Sequence, residues 1–206
     1  MGSGRHRGFA VWVVGLPGSG KSNLARALKG ELESRGFDAL WLQMDERRKA
    51  YFPDPQYTKE EREKAYEMFA EEAAQLVKEG KAVVMDGSAY KASMREYARE
   101  IIGDFAEVHV KCELATAMRR EAGRQEGLVM AGLYAKAIKR KQTGEQFEGL
   151  GEVIGVDVPF EENPAAECRI VNDDIPKEET RSLALDCIFS WLEEKGIYSS
   201  EQDDER

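Results

Sequence analysis

The sequence predicts one α/β domain, with a parallel sheet flanked by helices. Short β-branched runs alternate along the chain with amphipathic stretches of helical period, which is the pattern of parallel strands joined by right-handed helical crossovers. The first run, Phe9–Val14, leads directly into a glycine-rich loop and then into a helical stretch. The length of 206 residues is enough for one complete hydrophobic core.

Three strands are predicted in the first half of the chain. Phe9–Val14, Ala39–Met44 and Ala82–Met85 are short apolar runs, and such runs are typical of strands that are buried on both faces of a parallel sheet. A leucine stripe from Leu24 to about Ser34 predicts the helix after the first strand. Arg35-Gly36 supplies the signal that ends this helix.

A loop and a long helix separate the second strand from the third. Residues 51–57 contain two prolines, which exclude regular structure because proline lacks a backbone N–H. Thr58 followed three residues later by Glu61 is a capping-box pattern. A long charged helix is therefore predicted from this point to Gly80.

The second half of the chain continues the same alternation. Its predicted elements are a helix over Lys91–Ile102, a strand over Phe105–Val110, short helices over Leu114–Arg120 and Leu133–Arg140, a strand over Cys168–Val171 and a helix over Lys177–Glu194. Turn residues in 145–158 predict a loop. We expect the domain to span 9–194, between an N-terminal tail over 1–8 and a polar C-terminal tail over 195–206.

Composition excludes several classes of partner. The formal net charge is −9, which argues against non-specific binding to nucleic acid or to an anionic membrane, because both need a basic surface. The longest apolar run has six residues, too few to span a bilayer. The three cysteines are widely spaced and the only histidines are His6 and His109. A disulfide framework or a structural zinc site is not expected, and a reduced cytoplasmic protein fits best.

The glycine-rich loop carries the strongest functional signal in the chain. Gly15–Ser22 matches the pattern G-x-x-x-x-G-K-[ST], between an apolar strand and an amphipathic helix. In this motif, backbone N–H groups surround a phosphate, the lysine reaches the β- and γ-phosphates and the serine hydroxyl binds Mg²⁺. ATP and Mg²⁺ are the predicted cofactors. The predicted nucleotide-binding residues are Gly15, Pro17, Gly18, Ser19, Gly20, Lys21, Ser22 and Asn23.

Acidic and basic residues follow two further predicted strands. Asp86 closes the third strand and is a second candidate for holding Mg²⁺, with Ser22. Asp45 ends the second strand, where a carboxylate would take the proton of an acceptor hydroxyl, and Arg48 would hold an anionic acceptor. For each of these residues, a solvated position in a loop is the alternative interpretation.

The chain resembles the adenylylsulfate kinase family from about Phe9 to Ile188. The resemblance depends on the order and spacing of several segments and not on the phosphate loop alone. These segments are GLPGSGKSNLA over Gly15–Ala25, LQMDERR over Leu42–Arg48, YTKEER over Tyr57–Arg62, GSAY over Gly87–Tyr90, GLYAKA over Gly132–Ala137 and GVDVPFE over Gly155–Glu161.

This resemblance implies a P-loop NTPase fold of the nucleotide-kinase type with a mobile lid. It implies transfer of the ATP γ-phosphoryl group to the 3′-hydroxyl of adenosine 5′-phosphosulfate, in sulfate assimilation, with a homodimer possible. Lys21 and Asp45 are then the catalytic residues, and Arg119 or Arg120 at the start of the lid contacts the ATP phosphates. The substrate-binding candidates are Arg48, Arg62, Ser88, Tyr90 and Lys136.

The departures from the family pattern cluster on the acceptor side. Gln43 replaces an aspartate, Ala65 an asparagine, Glu67 an arginine and Val153 a phenylalanine that stacks on the acceptor base in the family. About ten extra residues lie between Glu121 and Gly132. Two alternatives therefore stay open: a kinase of the same mechanism acting on another nucleotide or a sugar acid, and an ATP-binding accessory protein without catalysis.

Overall fold

A computed structural model describes residues 7–54, 58–123, 132–173 and 175–199. The strands are β1 (Phe9–Val14), β2 (Ala39–Gln43), β3 (Ala82–Asp86), β4 (Phe105–Lys111) and β5 (Cys168–Val171). They form one parallel sheet in the order β2-β3-β1-β4-β5. The helices are α1 (Lys21–Ser34), α2 (Met44–Tyr51), α3 (Lys59–Lys78), α4 (Ala92–Ile102), α5 (Leu114–Ala122), α6 (Leu133–Thr143) and α7 (Lys177–Glu194). The predicted α/β architecture is confirmed.

Helices cover both faces of the sheet, which explains why β1 is apolar throughout and β3 is apolar as far as Asp86. Every residue of β1 and of β3 is buried. One face packs against α1 and α7 through residues such as Leu28 and Ile188. The other face packs against α3 and α4 through Phe69 and Met94, with the Trp12 ring beneath them. Burial of this apolar surface from water is the main stabilising term of such a domain.

Helix α2 was not predicted, because its residues were assigned to the end of a strand and to a loop. It follows β2 without a connecting loop and carries the charged run from Asp45 to Lys49. Only Met44 and Arg48 are buried in it, so no apolar stripe marks it in the sequence. Its acidic first turn and basic last turn complement the helix dipole, and that charge pattern was the available signal.

The packed region extends into both predicted tails, beyond the predicted domain bounds at residues 9 and 194. Ile197 and Tyr198 are buried, and the Tyr198 ring packs on Phe189, four residues past the predicted boundary at Glu194. At the other end, Arg7 forms an ion pair with Asp104.

The predicted cap of α3 is confirmed, since the backbone N–H of Glu61 donates to Thr58 Oγ1 at 3.1 Å.

The expectation of no disulfide is wrong. Cys168 in β5 and Cys187 in α7 form a disulfide, with their Cα atoms 6.1 Å apart. They are 19 positions apart in sequence, and only the crossover that packs α7 against β5 brings them together. The remaining cysteine, Cys112, is free and buried.

A buried ion pair fixes the loops that follow β3 and precede β5. Arg95 in α4 and Glu107 in β4 are both almost completely buried, and Arg95 Nε lies 2.9 Å from Glu107 Oε1. Arg95 also donates hydrogen bonds to the backbone carbonyls of Ala89 and Glu161. Asn163 Nδ2 donates to the second carboxylate oxygen of Glu107 at 2.8 Å. One guanidinium therefore holds both loops against the sheet.

We predict that Glu107→Gln lowers the free energy of unfolding by about 3 kcal/mol, because it leaves the buried charge of Arg95 without a counter-charge. Urea unfolding monitored by circular dichroism measures the change. Glu67→Gln is the matched control. It breaks an exposed ion pair with Lys64 and costs less than about 1 kcal/mol. Equal losses in the two variants would contradict this view of the Arg95–Glu107 pair.

Candidate active site

The loop between β1 and α1 has the conformation of a phosphate-binding loop. Gly18 has φ +86°, and a Cβ atom there would lie 2.4 Å from the carbonyl oxygen of Ala117, so only glycine fits. Lys21 begins α1 and its Nζ donates to the Leu16 carbonyl at 2.8 Å. Among the described residues, no side chain caps the first turn of α1. The N–H groups of that turn are thus disposed to bind an anion.

A cavity beside this loop, here called the central cavity, brings together charged side chains from α1, α2, α3 and β3. These elements meet because the parallel register places Gln43 of β2 and Val13 of β1 beside Asp86 of β3. Among the predicted site residues, those that line the central cavity are Pro17, Lys21, Ser22, Asp45, Arg48, Arg62, Asp86 and Ser88.

Helix α2 presents Asp45 and Arg48 to the central cavity. Asp45 is in the first helical turn and exposed, whereas Arg48 is buried. Residues three apart lie on the same face of a helix, so both side chains line the same wall. Arg48 Nη1 lies 3.9 Å from Glu61 Oε1, and that carboxylate is itself largely buried. Asp45 and Arg48 can therefore present a carboxylate and a guanidinium to one bound molecule.

Arg62 is held in place at the start of α3. Its side chain is buried, and its Nη2 donates to the Glu152 carbonyl at 2.7 Å. Its guanidinium lies 5.6 Å from the centre of the Tyr90 ring. Nη1 of Arg62 is buried without a hydrogen-bond partner among the described residues. A buried donor of this kind is costly unless a ligand satisfies it, so the group is suited to bind an anion in the central cavity.

Tyr66 adds a neutral polar group to the same cavity. Burial raises the pKa of its phenol, although the neighbouring Arg48 and Arg62 guanidiniums oppose that rise. The phenol is therefore protonated at neutral pH. Tyr66 lies within the long helix predicted from the sequence, but it was not among the predicted site residues, and its hydroxyl was the available signal.

A second cavity, here called the α7 cavity, lies on the other side of the phosphate loop. It is lined by four residues predicted to bind the nucleotide, which are Gly18, Gly20, Asn23 and Arg120. Arg120 is anchored by hydrogen bonds to the carbonyls of Asn172 and Asp173, at 2.7 and 2.8 Å. Sequence analysis did not identify the remaining polar residues of this cavity, which are Asn172, Lys177, Glu178, Thr180 and Arg181.

Five predicted residues line neither cavity: Gly15 and Ser19 of the phosphate loop, Tyr90, Lys136 and Arg119. Tyr90 is buried beneath the Arg62 guanidinium and does not line the central cavity. Lys136 is exposed on α6 and lines neither cavity. Arg119, the alternative to Arg120, lies 3.5 Å from the Thr116 hydroxyl. The extra residues of the lid fall mostly in 124–131, outside the described residues.

The four departures from the family pattern are distributed unequally. Gln43 and Val153 line the central cavity, so they change the surface that an acceptor would contact. Ala65 is completely buried in the core. Glu67 pairs with Lys64 in a different groove between α3 and α4. Two of the four substitutions therefore act directly on the cavity.

The one histidine in the described residues is unsuited to act as a base in this site. His109 lies on β4, is buried and stacks on the Phe160 ring at 4.8 Å. Burial lowers the pKa of His109 to about 4, so the imidazole is neutral at pH 7. It lines neither cavity. The carboxylates that line the central cavity are those of Asp45, Asp86 and Glu152, and Asp45 and Asp86 are the two predicted from the sequence.

Sequence comparison gives the same family along most of the chain. A family model described as adenylylsulphate kinase matches residues 7–171. A probable adenylyl-sulfate kinase of Pyrococcus abyssi is 32% identical over 179 residues, which cover 86% of this chain and 93% of the relative. The adenylyl-sulfate kinase of Paraburkholderia xenovorans is 33% identical over 174 residues, covering 84% and 88%.

Comparison with solved structures indicates the same family as the sequence comparison. The adenylylsulfate kinase CysC of Mycobacterium tuberculosis, solved with AMPPNP and adenosine 5′-phosphosulfate, superposes with a TM-score of 0.72 at 25% identity. The match covers 89% of this chain and 99% of that structure. With the phosphate loop and the central cavity described above, these likenesses show that the chain belongs to the adenylylsulphate kinase family of ATP-dependent phosphotransferases.

Proposed function

We propose that this chain transfers the γ-phosphoryl group of ATP to the 3′-hydroxyl of adenosine 5′-phosphosulfate. The observation that carries the proposal is the central cavity, where Lys21 of the phosphate loop faces the same space as Asp45, Arg48 and Arg62. The Mycobacterium tuberculosis enzyme, which was solved with both a nucleotide analogue and this acceptor, supports the assignment.

The donor side binds ATP through the phosphate loop. N–H groups of the loop and of the first turn of α1 hold the phosphates, and the Lys21 ammonium neutralises charge on the transferred group. The nucleoside extends toward the α7 cavity, past Asn23 and Arg120. Catalysis is then mainly positioning and electrostatic stabilisation, as in other phosphoryl transfers.

The residues near the loop fit a magnesium ion. The Ser22 hydroxyl and the Asp86 carboxylate line the same cavity, and both are hard oxygen donors of the kind that Mg²⁺ prefers. Within the described ranges, no group of three or more acidic, histidine or cysteine side chains forms a metal cage. A Mg²⁺ ion that is held by one or two protein oxygens and by substrate phosphates needs no such cage. When bound, the ion supplies charge neutralisation at the phosphate oxygens.

On the acceptor side, we assign Asp45 to the reacting hydroxyl and the two arginines to the anionic groups. Asp45 orients the 3′-hydroxyl and takes its proton while the hydroxyl oxygen forms a bond to the γ-phosphorus. The bond from the γ-phosphorus to the bridging oxygen breaks, and ADP leaves. Arg48 and Arg62 hold the phosphosulfate through charge-assisted hydrogen bonds. Ser88 contacts the acceptor from the segment that follows β3, and Lys136 and Tyr90 stay predictions.

The partners implied are small molecules. The acidic surface argues against nucleic acid and membranes as partners, and across the described ranges no helix has the length and apolar character needed to cross a bilayer. A homodimer remains a prediction. The cytoplasmic location also remains a prediction, and the Cys168–Cys187 disulfide removes part of the reasoning that favoured it.

The direct test measures ADP release with and without adenosine 5′-phosphosulfate, and identifies the product by ³¹P NMR. We expect acceptor-dependent turnover and a new 3′-phosphomonoester. A panel of other nucleotides and sugar acids distinguishes the alternatives, because Gln43 and Val153 change the cavity wall. Turnover with another acceptor alone would overturn the assigned substrate. ATP binding without turnover on any acceptor would favour an accessory protein.

We predict that Asp45→Asn lowers kcat by roughly 10²–10⁴-fold, the range expected when a general base is removed, with the KM for ATP nearly unchanged. Steady-state ADP release measures both constants. Glu46→Gln is the matched control, since Glu46 is the adjacent acidic residue of α2 and lies outside the cavity lining. If both variants retained wild-type kcat, Asp45 would have no part in the chemistry.

We predict that Arg48→Ala raises the KM for adenosine 5′-phosphosulfate by roughly 10–100-fold, since a hydrogen bond to a charged group contributes about 1.5–3 kcal/mol. The neighbouring Arg47→Ala serves as the control, because Arg47 pairs with Glu72 outside the cavity and its loss leaves the acceptor KM within about twofold. Initial rates at varied acceptor and saturating ATP give the comparison. Equal acceptor constants in the two variants would refute a binding role for Arg48.

A further inference from the structure

Asn172 follows β5 directly and lies beside the phosphate loop. Its backbone and side-chain groups form hydrogen bonds to the loop and to residues of β4, α5 and α7. Its backbone N–H donates to the Lys111 carbonyl at the end of β4, at 2.7 Å. Its carbonyl accepts from Arg120 Nη1 of α5, also at 2.7 Å. The residue is 8% exposed. The backbone of Asn172 is therefore fixed before its side chain reaches the loop.

The side-chain amide of Asn172 bridges the phosphate loop to α7. Nδ2 donates to the Ser19 carbonyl at 2.7 Å. The Thr180 hydroxyl lies 3.1 Å from Oδ1 of Asn172 and 3.2 Å from the Pro176 carbonyl, so it shares its one proton between these two acceptors. A carbonyl can only accept, so the NH₂ group must face Ser19. An aspartate at this position would lack that donor, and an alanine would lack both groups.

The bond from Asn172 sets the direction of one peptide unit in the loop. The peptide between Ser19 and Gly20 is planar and trans, so its C=O and its N–H point in opposite directions. Holding the Ser19 carbonyl on Asn172 therefore turns the Gly20 N–H away from Asn172. A Cβ atom on Gly20 would lie 2.7 Å from Nδ2 of Asn172, and φ of Gly20 is +104°, so the amide packs directly against this unit.

We propose that Asn172 is a positioning residue that holds the Ser19–Gly20 peptide in the orientation needed to bind the ATP phosphates. It acts on nucleotide affinity and not on acceptor affinity, because its contacts lie in the α7 cavity and the loop, away from Arg48 and Arg62. Thr180 holds the amide in the correct orientation from α7. The inference rests on the donor half of the proposed function, the binding of ATP at this loop, and not on the identity of the acceptor.

The test measures ADP affinity by calorimetry for the full chain carrying Asn172→Ala or Asn172→Asp. We expect both variants to bind ADP at least tenfold more weakly, with the melting temperature measured alongside. In turnover assays the KM for ATP rises in the same proportion, and the acceptor KM stays within twofold. ADP binding needs no acceptor, so failure of the assigned acceptor leaves this result interpretable. Unchanged ADP affinity in both variants would overturn the proposal, even if the melting temperature fell.

Substitutions of Thr180 provide a second arm that does not alter the loop contact itself. Thr180→Ser keeps the hydroxyl and retains wild-type ADP affinity, whereas Thr180→Val removes it and weakens ADP binding severalfold. The double variant Asn172→Ala, Thr180→Val binds ADP no more weakly than Asn172→Ala alone, because Thr180 acts through the amide. Equal ADP affinities for the serine and valine variants, or additive losses in the double variant, would contradict this arrangement.

Discussion

The parallel register of the three strands β1, β2 and β3 determines where chemistry can occur in this domain. Val13 and Gln43 both pair with Asp86, so the segments that follow the three strands leave the sheet at one edge. β1 and β3 are buried along their whole length, which confines polar side chains to the ends of the strands. The phosphate loop, the first turn of α2 and the Asp86–Ser88 segment thus meet around the central cavity as a consequence of strand order.

The charged side chains around this cavity are balanced, although the chain as a whole is acidic. The formal net charge is −9, yet the cavity is lined by Lys21, Arg48 and Arg62 beside the carboxylates of Asp45, Asp86 and Glu152. Buried cationic groups of this kind can hold an anion, because hydrogen bonds and ion pairs are stronger away from water. The net charge therefore argues against nucleic acid and anionic membranes as partners of the outer surface. It does not predict which ligands bind in the cavity.

Much of the predicted donor half could be located from the sequence, because one contiguous motif contains the loop, the lysine and the serine. Asp45, Arg48 and Asp86, near strand ends, and Arg62, in a family segment, were also assigned to the site from the sequence, and the structure places all four on the central cavity. Residues whose contacts depend on long-range packing were not predicted from the sequence. Asn172 reaches the loop because β5 pairs with β4. Thr180 reaches Asn172 because α7 packs back against β5, and the same packing joins Cys168 to Cys187. Helix α2 was missed because its buried face contains only Met44 and Arg48.

The phosphates of the donor and the acceptor are proposed to meet in the central cavity. Calorimetry with a bisubstrate ligand, in which a phosphate chain joins adenosine to the 3′-oxygen of adenosine 5′-phosphosulfate, measures this. We expect this ligand to bind far more tightly than ATP or the acceptor alone, and we expect Lys21→Ala and Arg48→Ala each to weaken its binding. Binding no tighter than that of ATP, with no effect of Arg48→Ala, would show that donor and acceptor do not share this cavity.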